Sequence, residues 1–407
     1  MKTSVIKSVN KDYDIIIAGA GLIGLTTSLS CAYNDVTVAL VDITHPHDAR
    51  ADGRASTIAA SCYGMLETLG VTQSIAHNVQ PIKDMLISDG KAGLISPLNL
   101  HLDSRDLDGP TAHMIENDIL RRSLLEQVER HDRIDLIAPV ELLDVNRSSA
   151  NVDVHLSNNM HLAASLLVAA DGRHSSLRKL AGIGVSKLNY NQKALVTTIT
   201  HERPHDDVAH QVFYSGGPLA LLPLTQNRIS IVWSDRARAI DALVQLPEHD
   251  FLSEFRRRSG DFLGDMFVSA ERQVFPLSLQ ISEAYTSTRL ALVGDAAHAI
   301  HPLAGQGLNM GLRDAAALAD VIGRARALGL DIGGATLDDY AAWRNFDNES
   351  LAMVTDVLNK LFSNNNLPIR HLRRLGLFTV NNTSMIKTFL MKEASGYNGN
   401  IPSLLRA

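Results

Sequence analysis

"YDIIIAGAGLIGLTTSLSCAYNDVTVALVDI", residues 13–43, reads as strand, glycine turn, helix and second strand in one short span. The uninterrupted apolar run Ile15–Ala18 suits a parallel strand buried on both faces. Gly19, Gly21 and Gly24 then give the spacing GxGxxG, and "VTVALVD" ends in Asp42. Each position has a mechanical reason. Gly19 permits a tight turn, Gly21 lets a pyrophosphate approach the backbone, and Gly24 lets the helix pack closely on the strand. The helix N-terminus faces the phosphates, and an acid about 20 residues on accepts hydrogen bonds from ribose hydroxyls. GxGxxG alone is weak evidence. With the second strand and its terminal acid in order, it predicts a dinucleotide-binding unit.

Two further strands end in the same way. "ASLLVAADG" (164–172) closes on Asp171-Gly172, and "LALVGDAA" (290–297) on Gly294-Asp295. Three such endings spread along the chain predict one nucleotide-binding sheet assembled from discontinuous segments. No second glycine fingerprint announces a separate NAD(P) domain. Between 183 and 284 the pattern changes: "KALVTTITHE", "AHQVFYSGGPLALLPLT" and "RISIVWSD" are rich in β-branched and aromatic residues separated by turn signals. They predict an inserted antiparallel sheet, to which 76–104 adds strands. After 307 the apolar spacing is helical. The expected division is a discontinuous Rossmann-like α/β domain (12–75, 105–182, 285–345), a mostly antiparallel β-sheet substrate domain (76–104, 183–284) and a helical C-terminal region (346–407).

Composition narrows the class. The chain has 407 residues, 45% hydrophobic and 20% charged, as in ordinary globular proteins. A net charge of −6 argues against nucleic-acid binding. Two cysteines, Cys31 and Cys62, provide no disulfide framework and point to a reducing cytoplasm. No stretch approaches the ~18 consecutive apolar residues of a membrane span. Peripheral contact with the inner face of a membrane stays open.

The motifs together resemble a known family. The glycine turn, "DGRHSSLR" (171–178) and "GDAAHAIHP" (294–302) resemble the group A flavin-dependent aromatic monooxygenases. "HPLAGQGLNMGLRD" (301–314), "GPLALLPL" (217–224) and "DGRASTIAASCYGMLETLG" (52–70) are similar to their ubiquinone-biosynthesis hydroxylase branch. The resemblance implies FAD as cofactor, NAD(P)H as reductant and O2 as co-substrate. It implies hydroxylation of a polyprenyl phenol through a flavin C4a-hydroperoxide, and partners in a biosynthetic complex. Residue by residue, Asp295 would bind the ribityl chain. Arg54, at the start of an expected helix, would lie beside the phosphate and ribityl region. Asn117 matches a polar contact, Val140 a strand position whose backbone meets the adenine, and Asp171 a bridge toward pyrophosphate and nicotinamide.

The stretch "GDAAHAIHPLAGQGLNMGLRD" (294–314) admits three readings. Asp295, His298 and His301 at intervals of three could share a helical face and bind a metal, but Pro302 and the glycines break that helix. His301 could be an acid/base near the flavin. The third reading is a cofactor clamp. Gly305, Gly307 and Gly311 leave room for a flat ring, and a helix beginning at about Gly307 presents amides of Leu308 and Asn309. His298 then bonds loop backbone, and Met310 and Leu312 belong to the core. An electron-rich phenol needs little side-chain catalysis, so no catalytic residue is named. "GPLALLPL" becomes the apolar wall of the substrate site. A soluble aromatic substrate, or a non-catalytic flavin-binding component of a complex, remain the alternatives; "IVWSD" lacks the tryptophan motif of the flavin halogenases.

Overall fold

The computed structural model describes residues 10–50, 52–90, 99–103, 109–299 and 306–345, with 388, 391–392, 394–397 and 399–406 of the C-terminal segment. Strands Leu290–Leu292, His161–Ala169, Asn10–Ala18, Val38–Val41 and Ile134–Ile137 lie side by side in that order, all parallel. The three strands expected to share one sheet are therefore its adjacent members. Parallel strands covered on both faces need continuous apolar sequence. Ile15, Ile16, Ile17, Leu166, Leu167, Val168 and Leu292 are accordingly fully buried.

Helix Leu22–Ala32 follows the glycine turn and packs against helices Asn117–Glu129 and Gln306–Ala327. Protein surrounds it, so its hydroxyl groups must find partners within the helix. Thr26 and Thr27 donate to the carbonyls of Leu22 and Ile23, and Ser30 to that of Thr26.

The second sheet runs His298–Ala299, Gln273–Ser282, Val185–His201, Arg228–Arg236, Gly217–Leu224, Val208–Tyr214, Asp84–Asp89, Asn99–Asp103. It is antiparallel except where Val208–Tyr214 runs parallel to Asp84–Asp89. One face carries Leu195, Leu219, Ile231 and Trp233 into a core with Ile240, Phe251 and Phe255 of helices Ala237–Val244 and Glu248–Ser259. The chain crosses from the first sheet to the second between Leu292 and His298, so the Gly294-Asp295 loop is the seam between them.

Three expectations need correction. Gln80–Ile82 joins neither large sheet; it pairs with Ala112–Glu116, which also pairs with Ala55–Ala59 in a small third sheet. Arg54 opens onto strand Ala55–Ala59, and the helix begins only at Ala60, because Ser56, Thr57 and Ile58 favour extended backbone. Val140 follows strand Ile134–Ile137 instead of lying in it, and its N–H donates to the Asp42 carbonyl at 2.7 Å. Most of 346–407, with His301, Pro302 and Gly305, falls outside the described residues.

Candidate active site

The glycine turn is built as its spacing demands. Gly19 has φ +107°, and a Cβ there would meet the Ala170 carbonyl oxygen at 2.4 Å. A Cβ on Gly24 would lie 1.7 Å from the Gly19 oxygen, so any side chain would push the helix off its strand. Gly21 differs from both. A Cβ there meets nothing within 4 Å, because the helix N-terminus opens into a cavity.

That cavity has a volume of about 660 Å³ and lies between the C-terminal ends of the parallel strands and one face of the second sheet. Ligands of open α/β sheets bind outside the carboxyl ends of the strands. One wall is polar and carries Gly21, Asp52, Arg54, Asn117 and Asp295; the facing wall carries Ala194, Val196, Ala220, Leu222 and Val232. Gly307 and Leu308 line the cavity from the first turn of Gln306–Ala327, close to the expected helix start. A Cβ on Gly307 also meets nothing within 4 Å. Only alternate residues of "GPLALLPL" reach the cavity, since Leu219 and Leu221 point into the core behind.

A polar network stands on the first wall. Asp52 accepts from the Arg54 N–H at 2.8 Å, from Arg54 Nη2 at 2.8 Å and from Asn117 Nδ2 at 3.1 Å. Ser56 Oγ donates to Asn117 Oδ1 at 2.7 Å. Burial alone would raise the Asp52 carboxyl, but the Arg54 bonds and charge outweigh it and hold the group below its usual value. The Arg54 guanidinium lies 5.1 Å from the Phe275 ring centroid and so links the start of the small third sheet to the second sheet. Asp52 went unnoticed in the sequence, although an acid two residues before an arginine is a readable signal.

The expected acids part company. Asp295 is exposed and lines the cavity. Desolvation raises its carboxyl, opposed by the charges of His298, Arg173 and Arg54. Asp171 instead caps helix Ser176–Leu180: its Oδ2 accepts from the N–H groups of Ser176 at 2.8 Å and Leu177 at 3.2 Å. Its Oδ1 is buried with no partner. Asp42 is turned to the glycine turn, accepting from the Ala20 N–H at 2.6 Å and the Thr44 N–H at 2.7 Å. Neither Asp42, Asp171 nor Val140 lines the cavity.

The seam loop is fastened from behind. Asp314, fully buried, accepts from the Gly294 N–H at 2.9 Å, from Arg344 Nε at 2.7 Å, and pairs with His298 Nε2 at 2.6 Å. His298 thus bonds a carboxylate and not loop backbone. Burial pushes the Asp314 carboxyl up, yet His298, Arg344 and the Gly294 N–H together bring it down to about 2. Arg178, 3% exposed, donates to the carbonyls of Ala296 and Arg173 and ties the two acidic loops together. Asn309 uses its side chain to join the long helix to strand Ala55–Ala59: Oδ1 accepts from the Ala59 N–H at 2.9 Å and Nδ2 donates to the Thr57 carbonyl at 2.8 Å. Gly311 serves close packing, since a Cβ would meet Ile23 Cδ1 at 2.6 Å and Gly294 Cα at 3.2 Å. Met310 and Leu312 are core residues, as expected. Elsewhere Asp84, His101 and Asp103 bring ligand-type atoms within 4.8 Å of one another, a common arrangement without metal, and they do not line this cavity.

A profile described as FAD binding domain matches residues 12–345. A ubiquinone hydroxylase, UbiL, of Rhodospirillum rubrum is 40% identical over 96% of this chain and 91% of its own. The chain belongs to the ubiquinone-biosynthesis hydroxylase branch of the FAD-dependent monooxygenases. The 3-demethoxyubiquinol 3-hydroxylase of Escherichia coli, in the same branch, is 32% identical over 95% of this chain and 99% of its own. The fold is also that of p-nitrophenol 4-monooxygenase PnpA from Pseudomonas putida, with a TM-score of 0.80 at 16% identity over 96% of this chain and 99% of that one. As a branch member the protein is an FAD-dependent hydroxylase. The site fits that cofactor: open helix N-termini at Gly21 and Gly307, and an acid turned into the cavity between them, are what a dinucleotide with a ribityl chain requires.

Proposed function

We propose that the protein hydroxylates the aromatic ring of a polyprenyl phenol on the route to ubiquinone, with NAD(P)H and O2 as co-substrates. The observation that carries this reading is the division of one cavity into a polar, backbone-built wall and a facing apolar wall. FAD, when bound, supplies the activation of oxygen, so the protein's task is positioning and exclusion of water. Gly19, Gly21 and Gly24 shape the pyrophosphate cradle, and Asp295 accepts from the ribityl hydroxyls. Asp52 holds Arg54 and Asn117 in place beside the cofactor. The N-terminus of Gln306–Ala327, with Gly307, Leu308 and Asn309, presents partial positive charge to the anionic edge of a reduced flavin. Pro302 and Gly305 extend that clamp in this reading. Asp42, Asp171 and Val140 shape the cofactor loops through the backbone bonds described above.

In this reading 12–75, 105–182 and 285–345, with the parallel sheet, form the FAD-binding part, 76–104 and 183–284, with most of the second sheet, the substrate part, and 346–407 a helical extension. No helix of the described residues is long and apolar enough to cross a membrane. A polyprenyl tail nevertheless favours the bilayer by about 0.8 kcal/mol per CH2. The enzyme therefore meets its substrate at the membrane surface or within a biosynthetic complex, and the basic stretch 368–378 is the proposed contact. Arg370, Arg373 and Arg374 changed together to Glu should lower hydroxylation in cells while leaving a short-tailed analogue's turnover intact.

The deciding experiment mixes FAD-loaded protein, NAD(P)H and short-tailed prenyl phenols and follows NAD(P)H oxidation and product mass. Stimulated oxidation with gain of one oxygen atom is expected. Stimulation by soluble aromatic acids alone would overturn the reading.

A further inference from the structure

The residues of the second sheet that line the cavity are almost all apolar. Strand register places Val196, Val232, Ala220 and Gln211 in one row across four strands. The row behind it, Leu195, Trp233, Leu219 and Val212, points to the opposite face and belongs to the core. Among the described residues of the second sheet that line the cavity, Gln211 alone is polar, and it is 9% exposed. No hydrogen bond engages its amide among the described residues. The amide opens onto the cavity, so a ligand seated there can complete its bonds.

We propose that Gln211 reads the oxygen substituents of the substrate ring and so fixes which carbon faces the flavin. The inference rests on the phenol-hydroxylase reading and goes further, to a ring with oxygens on adjacent carbons. An amide carries an acceptor and two donors side by side. A phenolic O–H donates to Gln211 Oε1, and a neighbouring hydroxyl or ether oxygen accepts from Nε2. The other residues of this sheet that line the cavity supply contact without direction. Rotation of the ring in its own plane is therefore restrained by this one side chain, and the site of oxygen insertion with it.

The test uses FAD-loaded enzyme and two short-tailed prenyl phenols, one with a methoxy group beside the hydroxyl and one without it. Wild type should prefer the methoxy phenol by about 10- to 100-fold in kcat/KM and in the dissociation constant read from flavin absorbance. Gln211→Leu should bring the two phenols within about threefold, release more than one hydroxylated isomer, and leave FAD affinity unchanged. Gln211→Met, close in volume, should do the same and separates lost bonding from lost packing. A wild-type enzyme indifferent to the methoxy group, or a Gln211→Leu enzyme that keeps both preference and single product, overturns the role of Gln211. Failure of wild type to oxidise either phenol overturns the underlying reading, and the inference with it.

Discussion

The two walls of the cavity are made in different ways. The nucleotide wall consists of turns whose geometry is set within a few residues: Gly19 to Gly24, Asp171 to Arg178, Gly294 to His298. The substrate wall consists of alternate residues on four or more strands brought level only by register, such as Val196, Val232, Ala220 and Gln211. The first wall holds what every flavoprotein of this kind must hold. The second carries no spacing that one segment could display. Common chemistry is thus written locally, and individual specificity is written across the sheet.

The largest effect should come from Gly24→Ala, where the added Cβ meets the Gly19 oxygen at 1.7 Å. Helix and strand cannot both stay in place, so soluble folded protein should be lost. Gly21→Val, three residues earlier, meets open space and should leave the circular-dichroism spectrum unchanged while abolishing FAD uptake. If both variants fold and bind FAD, the local reading of the glycine turn is wrong.

Asp314→Ala comes next. It removes the Asp314 partner of buried Arg344 and frees the Gly294 N–H, and loss of one partner of a buried ion pair costs about 3–5 kcal/mol. Its carboxyl is at about 2 in the fold against 3.8 in the free side chain. A depressed value stabilises the fold fully above the free value and is lost as pH falls through the folded one. Wild-type stability should therefore drop as pH falls from about 4 toward 2, and Asp314→Asn should flatten that slope in urea titrations.

Asp295→Ala should weaken FAD binding by about 10- to 100-fold, the worth of a charge-assisted hydrogen bond, with little change in melting temperature. Asp171→Ala, the smallest effect, should show the opposite pattern. Loss of a helix cap costs about 0.5–2 kcal/mol, so the melting temperature should fall while the FAD dissociation constant holds. Equal behaviour of the two acids would erase the distinction drawn between them.

What could be read in advance follows the same division. The sheet of three distant segments was legible because buried parallel strands leave apolar runs ending in glycine and acid. The cavity-facing start of the long helix, at Gly307 and Leu308, was legible too. Asp42 and Asp171 were recognised by position, but the hydrogen bonds that turn them to the Ala20 amide and to a helix cap depend on neighbouring loops. Asp314 sat inside the quoted motif unnoticed, because its partner Arg344 lies 30 residues further on. Gln211 was invisible: it is one polar letter in a strand, given meaning by three strands beside it.

The order of the parallel strands also sets a timetable. His161–Ala169 and Leu290–Leu292 flank one another, yet most of the second sheet, from Val185 to Ser282, is synthesised between them. A ribosome adds about 5–20 residues per second, so the strand that carries Asp295 emerges well after the glycine turn. Until it does, the nascent chain has half a cradle and an open flank along Leu167–Ala169. The flavin can only be a late arrival. It closes a finished seam, and cells starved of FAD should accumulate this protein in a form that proteases cut first between the two sheets.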